Sequence, residues 1–166
     1  LRKDMEKRGI RLDVQLGKLP ATEFAFGPMQ QVFLNLFINA WHAIAEAGGQ
    51  DGVLTVTSRS VDGDKIKVTV GDTGIGISEE EQKRIFDPFY TTKSSDSGGK
   101  FGGSGLGLMI VRQIIGEHDG LIDVDSTVGE GTEFTIDLPV IREKETLSVA
   151  DLPVIQGEMK KQLSVL

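Results

Sequence analysis

The chain contains no cysteine, and only two histidines, one tryptophan and one tyrosine among its 166 residues. Without cysteine there is no disulfide framework and no thiolate metal site, a composition that suits a reducing compartment. Two histidines are too few for most zinc sites. No apolar run approaches the roughly 20 residues that cross a bilayer, and no basic-then-apolar segment opens the chain. A soluble, cytoplasmic piece is therefore expected, which leaves open a membrane anchor elsewhere in a longer parent. Basic residues are scarce too: 18 Lys+Arg stand against 25 Asp+Glu, and the formal net charge of −7 argues against nucleic acid as the main partner. An anionic ligand has to be held locally, by backbone amides, a lysine or a metal.

Glycine is abundant instead, with 21 residues clustered at 71–76, 98–107 and 129–131. Clustered glycine marks backbone that approaches something closely; tight turns explain the third cluster well and the second poorly. The length fits one domain with a tail left over.

Ile10, Leu12, Val14 and Leu16 alternate with Arg11, Asp13 and Gln15, the period of a half-buried strand. Pro28 is placed to open a helix, in which Met29, Val32, Phe33, Leu36, Phe37, Ala40, Trp41 and Ile44 follow at helical spacing up to Gly48-Gly49. Residues 53–58 and 65–70 read as a hairpin around Asp62-Gly63. Ser78-Glu79-Glu80-Glu81 has the form of a capping box and predicts a short helix to about Phe86. From Asp87 to Gly105 there is no periodicity, and a loop of that length in a compact domain is usually functional. Residues 106–117 are apolar on nearly all sides and predict a buried helix. Two further strands, 121–124 and 133–138, flank Gly129-Glu130-Gly131. The fold class is α/β: a two-layer sandwich with a mixed sheet of about five strands, covered on one face by about three helices.

Asn35, Asn39, His42 and Glu46 recur at i, i+4, i+7 and i+11, so at about 100° per residue they share one stripe beside the apolar face. A pocket wall and a solvated face both fit that stripe, although an exposed face would more often be rich in Lys and Glu. Asp72-Thr73-Gly74-Ile75-Gly76-Ile77 follows a strand directly and sets an acceptor-only carboxylate where flat aromatic material can come close. Gly103-Ser104-Gly105-Leu106-Gly107-Leu108 lies at the mouth of the buried helix, where free amides and the helix dipole suit phosphate. The P-loop pattern is absent. A dinucleotide-binding reading of the same glycines fails because a loop, not a strand, precedes them.

Taken in order, Asn35-x-x-x-Asn39, Asp72-x-Gly74-x-Gly76, Phe86-Asp87-Pro88-Phe89-Tyr90, Gly103-x-Gly105-Leu106-Gly107-Leu108 and Gly131-Thr132 resemble the N, G1, F, G2 and G3 boxes of sensor histidine kinases. The resemblance covers roughly residues 10–140 and extends to the wider group of Hsp90, MutL and type II topoisomerase ATPases. It implies the Bergerat-type ATP-binding fold, with ATP and Mg²⁺ as cofactors. In that reading Asp72 accepts the exocyclic amine of adenine, Gly74 and Gly76 line the base site, Ile77 and Leu106 close on the base, and Thr132 completes it. Asn39 ligates Mg²⁺ through its amide oxygen, Asn35 supports it, and His42 reaches a phosphate from the helix. Lys93, in Tyr90-Thr91-Thr92-Lys93, reaches a phosphate from a lid, while Gly103, Ser104, Gly105, Gly107 and Leu108 border the phosphates. Asn35, Asn39 and Lys93 are the implied catalytic residues.

The implied reaction moves the γ-phosphoryl of Mg-ATP to a histidine on a separate dimerisation domain, and Phe89 or a neighbour docks on its acceptor helix. Neither His42 nor His118 sits in such a helix, which the resemblance places before Leu1. Many relatives carry an aromatic residue where Ala43 stands, so base stacking must come from elsewhere. Two rival readings are an ATPase motor or clamp of the same group, which commonly has Glu where Asn35 stands, and a non-catalytic ATP sensor. The expected boundaries are 1–141 for the catalytic domain and 142–166 for a linker or tail. The final Leu163-Ser164-Val165-Leu166 resembles the first strand of a receiver domain, which makes a fused receiver or a separate response regulator the downstream partner. The parent is expected to be a homodimer and this piece a monomer.

Overall fold

The computed structural model describes residues 9–49, 51–91 and 105–140. The expected lid beyond Thr91, with Thr92, Lys93, Gly103 and Ser104, and the expected linker or tail at 142–166 lie outside the described residues. Along the chain, β1 (Arg11–Leu16), α1 (Phe26–Glu46), β2 (Val53–Val61), β3 (Lys65–Asp72), α2 (Glu79–Gln82), α3 (Gly107–Glu117), β4 (Leu121–Thr127) and β5 (Gly131–Pro139) follow one another. The five strands form one sheet in the order β1-β2-β3-β5-β4. β1 runs parallel to β2 and every other pairing is antiparallel, so the sheet is mixed, as expected.

Strand alternation builds the core. Leu54 and Val56 of β2, Ile66, Val68 and Val70 of β3, and Phe134, Ile136 and Leu138 of β5 are buried on one face. Against them α1 sets Val32, Leu36, Ala40 and Ile44, and α3 sets Val111, Ile114 and Ile115, all in one apolar cluster. The helical stripe and the strand rows are thus the two halves of one interface, and among the described residues no helix covers the other sheet face. Each fully buried aliphatic side chain contributes on the order of 2 kcal/mol.

Several elements differ from the sequence expectation. α1 begins at Phe26, two residues before Pro28, because the first-turn N–H groups lack intrahelical partners in any case and a proline within that turn costs no hydrogen bond. α2 is one turn long. Its capping box is complete, with the Ser78 hydroxyl accepting from Glu81 N–H and the Glu81 carboxylate accepting from Ser78 N–H, but turns replace the helix after Gln82. α3 is amphipathic rather than buried all round: Arg112, Gln113, Gly116 and Glu117 are exposed.

The largest difference is β1. Its alternation is correct, yet Leu12, Val14 and Leu16 are 39%, 49% and 68% exposed, and Ile10, just before the strand, is the residue that reaches the core. β1 is the edge of the sheet, and its apolar row extends past the cover that the helices provide.

His118 ties the helical layer together. Its Nε2 accepts from Ala25 N–H at 3.2 Å, at the N-terminus of α1, and its Nδ1 lies 2.7 Å from Ile114 O near the end of α3. Because a carbonyl can only accept, these partners assign the proton to Nδ1. With both ring nitrogens engaged, His118 is a clip between the two helices.

Candidate functional site

Asp72 is the last residue of β3 and continues the inward row Ile66, Val68, Val70. Its carboxylate is therefore turned into the space between sheet and helices at the strand end. Two main-chain amides hold it: Gly74 N–H donates to Oδ1 at 2.8 Å, and Thr132 N–H donates from β5. Burial nevertheless outweighs those bonds and raises the Asp72 pKa from its ordinary 3.8 to about 6. At neutral pH the group is mainly an ionised acceptor at the edge of an apolar layer.

The loop after Asp72 is strapped down on two sides. Ile75 N–H donates to Ala43 O of α1 at 3.2 Å, and Gly129 N–H of the β4–β5 turn donates to Ile75 O at 2.7 Å. Gly76 has φ +72°, and a Cβ there would run into the carbonyl of Thr127, so only glycine fits this crossing. Ile77 N–H donates to Ser126 Oγ at 2.8 Å, while Gln82 Nε2 donates to both Ile77 O at 2.8 Å and Ser126 O at 2.9 Å. Ser126 also donates to Gly131 O at 2.7 Å and lies 2.9 Å from the hydroxyl of Thr132. Thr132 itself is 5% exposed and pairs with Asp72 across the β3–β5 ladder.

At the other end of the site, Asn35 Nδ2 donates to Gly107 O at 3.2 Å, joining α1 to the first residue of α3. Asn39 and His42 are half-buried on the same helix, while Glu46 is exposed and falls outside the group. The His42 ring stacks on Trp41 at 5.6 Å and 28°. Leu106, Gly107 and Leu108 are half-buried at the start of α3, and Leu106 occupies the N-cap position without a side-chain cap. The F segment forms tight turns in which Asp87 N–H donates to Arg84 O and Tyr90 N–H to Asp87 O. Arg84 lies 4.7 Å over the Tyr90 ring. Gly105, with φ +69°, packs where any Cβ would meet the Phe89 backbone at 2.6 Å, which brings the F turn against the entry to α3. Thr91 is exposed just beyond that turn.

Asn35 and Ala43 are two helical turns apart, ~12 Å at 1.5 Å per residue. One touches the N-terminus of α3 and the other the loop that follows Asp72. α1 therefore runs between an anion-favouring helix terminus and the loop that follows the half-buried carboxylate of Asp72.

The profile of the histidine kinase-, DNA gyrase B- and HSP90-like ATPases matches residues 27–142. The chain belongs to this ATPase family. Among sensor histidine kinases, the chain is 42% identical over 112 residues to ZraS of Klebsiella oxytoca, covering 68% of this chain and 22% of that protein. The catalytic domain of the histidine kinase ThkA superposes with a TM-score of 0.69 at 31% identity, over 84% of this chain and 86% of that domain. ThkA in complex with the response regulator TrrA gives a TM-score of 0.65 at 29% identity, over 87% of this chain and 38% of the other. The chain thus spans about a fifth of the curated relative's length and most of a solved catalytic domain. Membership of this ATPase family implies that the domain binds ATP, and the fold is that of histidine kinase catalytic domains.

Within this family frame, Asp72, Gly74, Gly76, Ile77 and Thr132 gather at one end of the site, and Asn35, Gly105, Leu106, Gly107 and Leu108 at the other. Asn39 and His42 stand on α1 beyond Asn35, towards Ala43. The departure at Ala43 has a local reason. A Cβ on Gly74 would sit 2.5 Å from both the Ala43 carbonyl carbon and its Cβ, so loop and helix touch backbone to backbone there. Ser126 and Gln82 make contacts that no sequence motif signals, and His118, which the sequence offers only as a histidine outside the acceptor helix, clips α1 to α3. Ser126 sits in a plain strand alternation, Gln82 in a short polar helix, and His118 meets Ala25 from 93 residues away. No local spacing encodes such contacts.

Proposed function

We propose that this domain holds Mg-ATP and presents its γ-phosphoryl to a histidine carried by a separate dimerisation domain of the same parent protein. The observation that supports this most directly is the amide pair on α1. Asn35 is committed through its NH₂ group to Gly107 O, and an amide cannot take a proton from water. Positioning without a general base suits phosphoryl transfer to a nucleophilic ring nitrogen better than hydrolysis by a motor or clamp.

Asp72 selects the adenine amine, Gly74 and Gly76 let the base approach, and Ile77 and Leu106 cover it, with Thr132 beside Asp72. The half-buried amide of Asn39 has no hydrogen bond to a described residue, and no three His, Asp or Glu side chains gather into a metal group among the described residues. A single neutral oxygen fits Mg²⁺ that is held otherwise by phosphates and water, so Asn39 is the metal ligand. When bound, the ion neutralises charge on the phosphates. Asn35 fixes the helix terminus beside them, and His42, Lys93 and the amides of residues 103–107 contact the anionic groups. Tyr90 and Thr91 border the site from the F turn, Thr92 is carried over from the resemblance alone, and Phe89, 74% accessible with φ +62°, or a neighbour docks on the acceptor helix. Downstream, a response regulator or fused receiver takes the phosphoryl group.

Asn39→Ala separates binding from transfer. The variant is expected to keep nucleotide affinity within a few-fold by calorimetry and to lose most transfer. Full transfer at limiting Mg²⁺ would contradict the metal role. The isolated domain is also expected to show no steady ATP turnover in a phosphate-release assay, and sustained turnover would favour the motor reading.

A further inference from the structure

Ser126 has no assigned contact with the nucleotide in the ATP reading, yet through Ile77 and Thr132 it decides where one hydrogen of that site points. Its hydroxyl has one hydrogen and two lone pairs. Gly131 O, at 2.7 Å, is a carbonyl and can only accept, so the Ser126 hydrogen is spent there. Ile77 N–H, at 2.8 Å, can only donate, so it uses one lone pair. The remaining neighbour is Thr132 Oγ1 at 2.9 Å, and the second lone pair of Ser126 is what it meets. The Thr132 hydrogen must therefore run to Ser126. Thr132 is buried, so water does not compete for that hydrogen.

The consequence reaches the base site. Thr132 and Asp72 face one another across the β3–β5 ladder, on the inward side of the sheet. Asp72 is an acceptor already holding Gly74 N–H and Thr132 N–H. With its hydrogen turned away, Thr132 Oγ1 offers only lone pairs beside it. We infer that Ser126 is a positioning residue for base selection: through Gly131 and Ile77 it locks the Thr132 hydroxyl so that the Asp72–Thr132 corner is acceptor-only. Such a corner takes a purine with an exocyclic amine, directly or through a water that donates to it, and opposes a keto oxygen at the same place. Inosine triphosphate carries that keto oxygen and keeps the rest of the ATP skeleton. A free Thr132 hydroxyl could rotate to donate to it.

The inference rests on the ATP reading and is tested by the ratio of ATP to inosine triphosphate affinity, measured by calorimetry on the same chain. Ser126→Ala is expected to lower that ratio about tenfold, the equivalent of one redirected hydrogen bond. Ser126→Thr, which restores a hydroxyl, is expected to retain it. Gln82→Ala supplies the control for mere loosening, since Gln82 clamps Ile77 O and Ser126 O without touching either hydroxyl. It should weaken both nucleotides alike and leave the ratio unchanged. If Ser126→Ala does not fold, Ser126→Cys is read in its place, with an intermediate loss expected from its weak donor. Equal loss of both nucleotides in the Ser126 variants, or an equal ratio change in Gln82→Ala, overturns the inference. A parent chain that shows no preference for ATP would instead overturn the ATP reading itself.

Discussion

At the scale of single residues, Asp72 shows a site bought at the expense of stability. Its carboxylate is ionised at neutral pH although burial opposes the charge. A carboxyl whose pKa rises from 3.8 to about 6 on folding favours the fold fully below pH 3.8 and loses that contribution as pH rises through about 6. The loss is on the order of 3 kcal/mol at neutral pH. Asp72→Asn keeps an oxygen for Gly74 N–H and Thr132 N–H without the charge. It is expected to raise the thermal midpoint at pH 7.5, with the gain fading at pH 5, while ATP affinity falls by at least tenfold. A variant no more stable than the parent at pH 7.5 would mean that the carboxylate is not strained. For the parent, an amine donating to Asp72 favours its ionised form, so ATP affinity is expected to fall as pH drops below about 6. The Asp72→Asn variant should lack that component, which titration of both chains between pH 5 and 7.5 would reveal.

At the scale of elements, the sequence was legible wherever one periodicity met one environment. The stripe Met29, Val32, Leu36, Ala40, Ile44 is buried as its spacing requires, and the alternations of β2, β3 and β5 fill the facing layer. β1 has an equally clean alternation and little burial, because periodicity tells which residues share a face and not whether anything covers it. Removing methyl groups makes the contrast measurable. Leu36→Ala is expected to cost about 3 kcal/mol in denaturant unfolding, and Val14→Ala under about 0.5 kcal/mol. A similar cost at both positions would show that β1 is covered in solution. The shortened α2 has a different cause. Its capping box specifies where a helix starts, while Ile85, buried three residues past the end of α2, is reached through turns.

At the scale of the whole molecule, the order of the boxes along the chain was readable and their convergence was not. Asp72 and Gly107 are recognisable from their glycine neighbours, but only the fold places the loop after Asp72 against Ala43, near the end of α1, and Gly107 against Asn35, near its middle. The Ser126 network lies beyond sequence reasoning for the same reason, since its hydroxyls meet through a turn that closes two strands. What emerges is a domain of an ATP-binding family in which an amide, Asn35, stands where the motor and clamp ATPases of the resemblance commonly carry a glutamate. The most direct test of that account uses γ-labelled ATP and Mg²⁺ with this chain, alone and together with a separately produced histidine-bearing dimerisation segment from its parent protein. The expected result is acid-labile, base-stable label on the segment and none on this chain, abolished by replacing the acceptor histidine. Label on His42 or His118 of this chain, or release of phosphate in place of transfer, would contradict it.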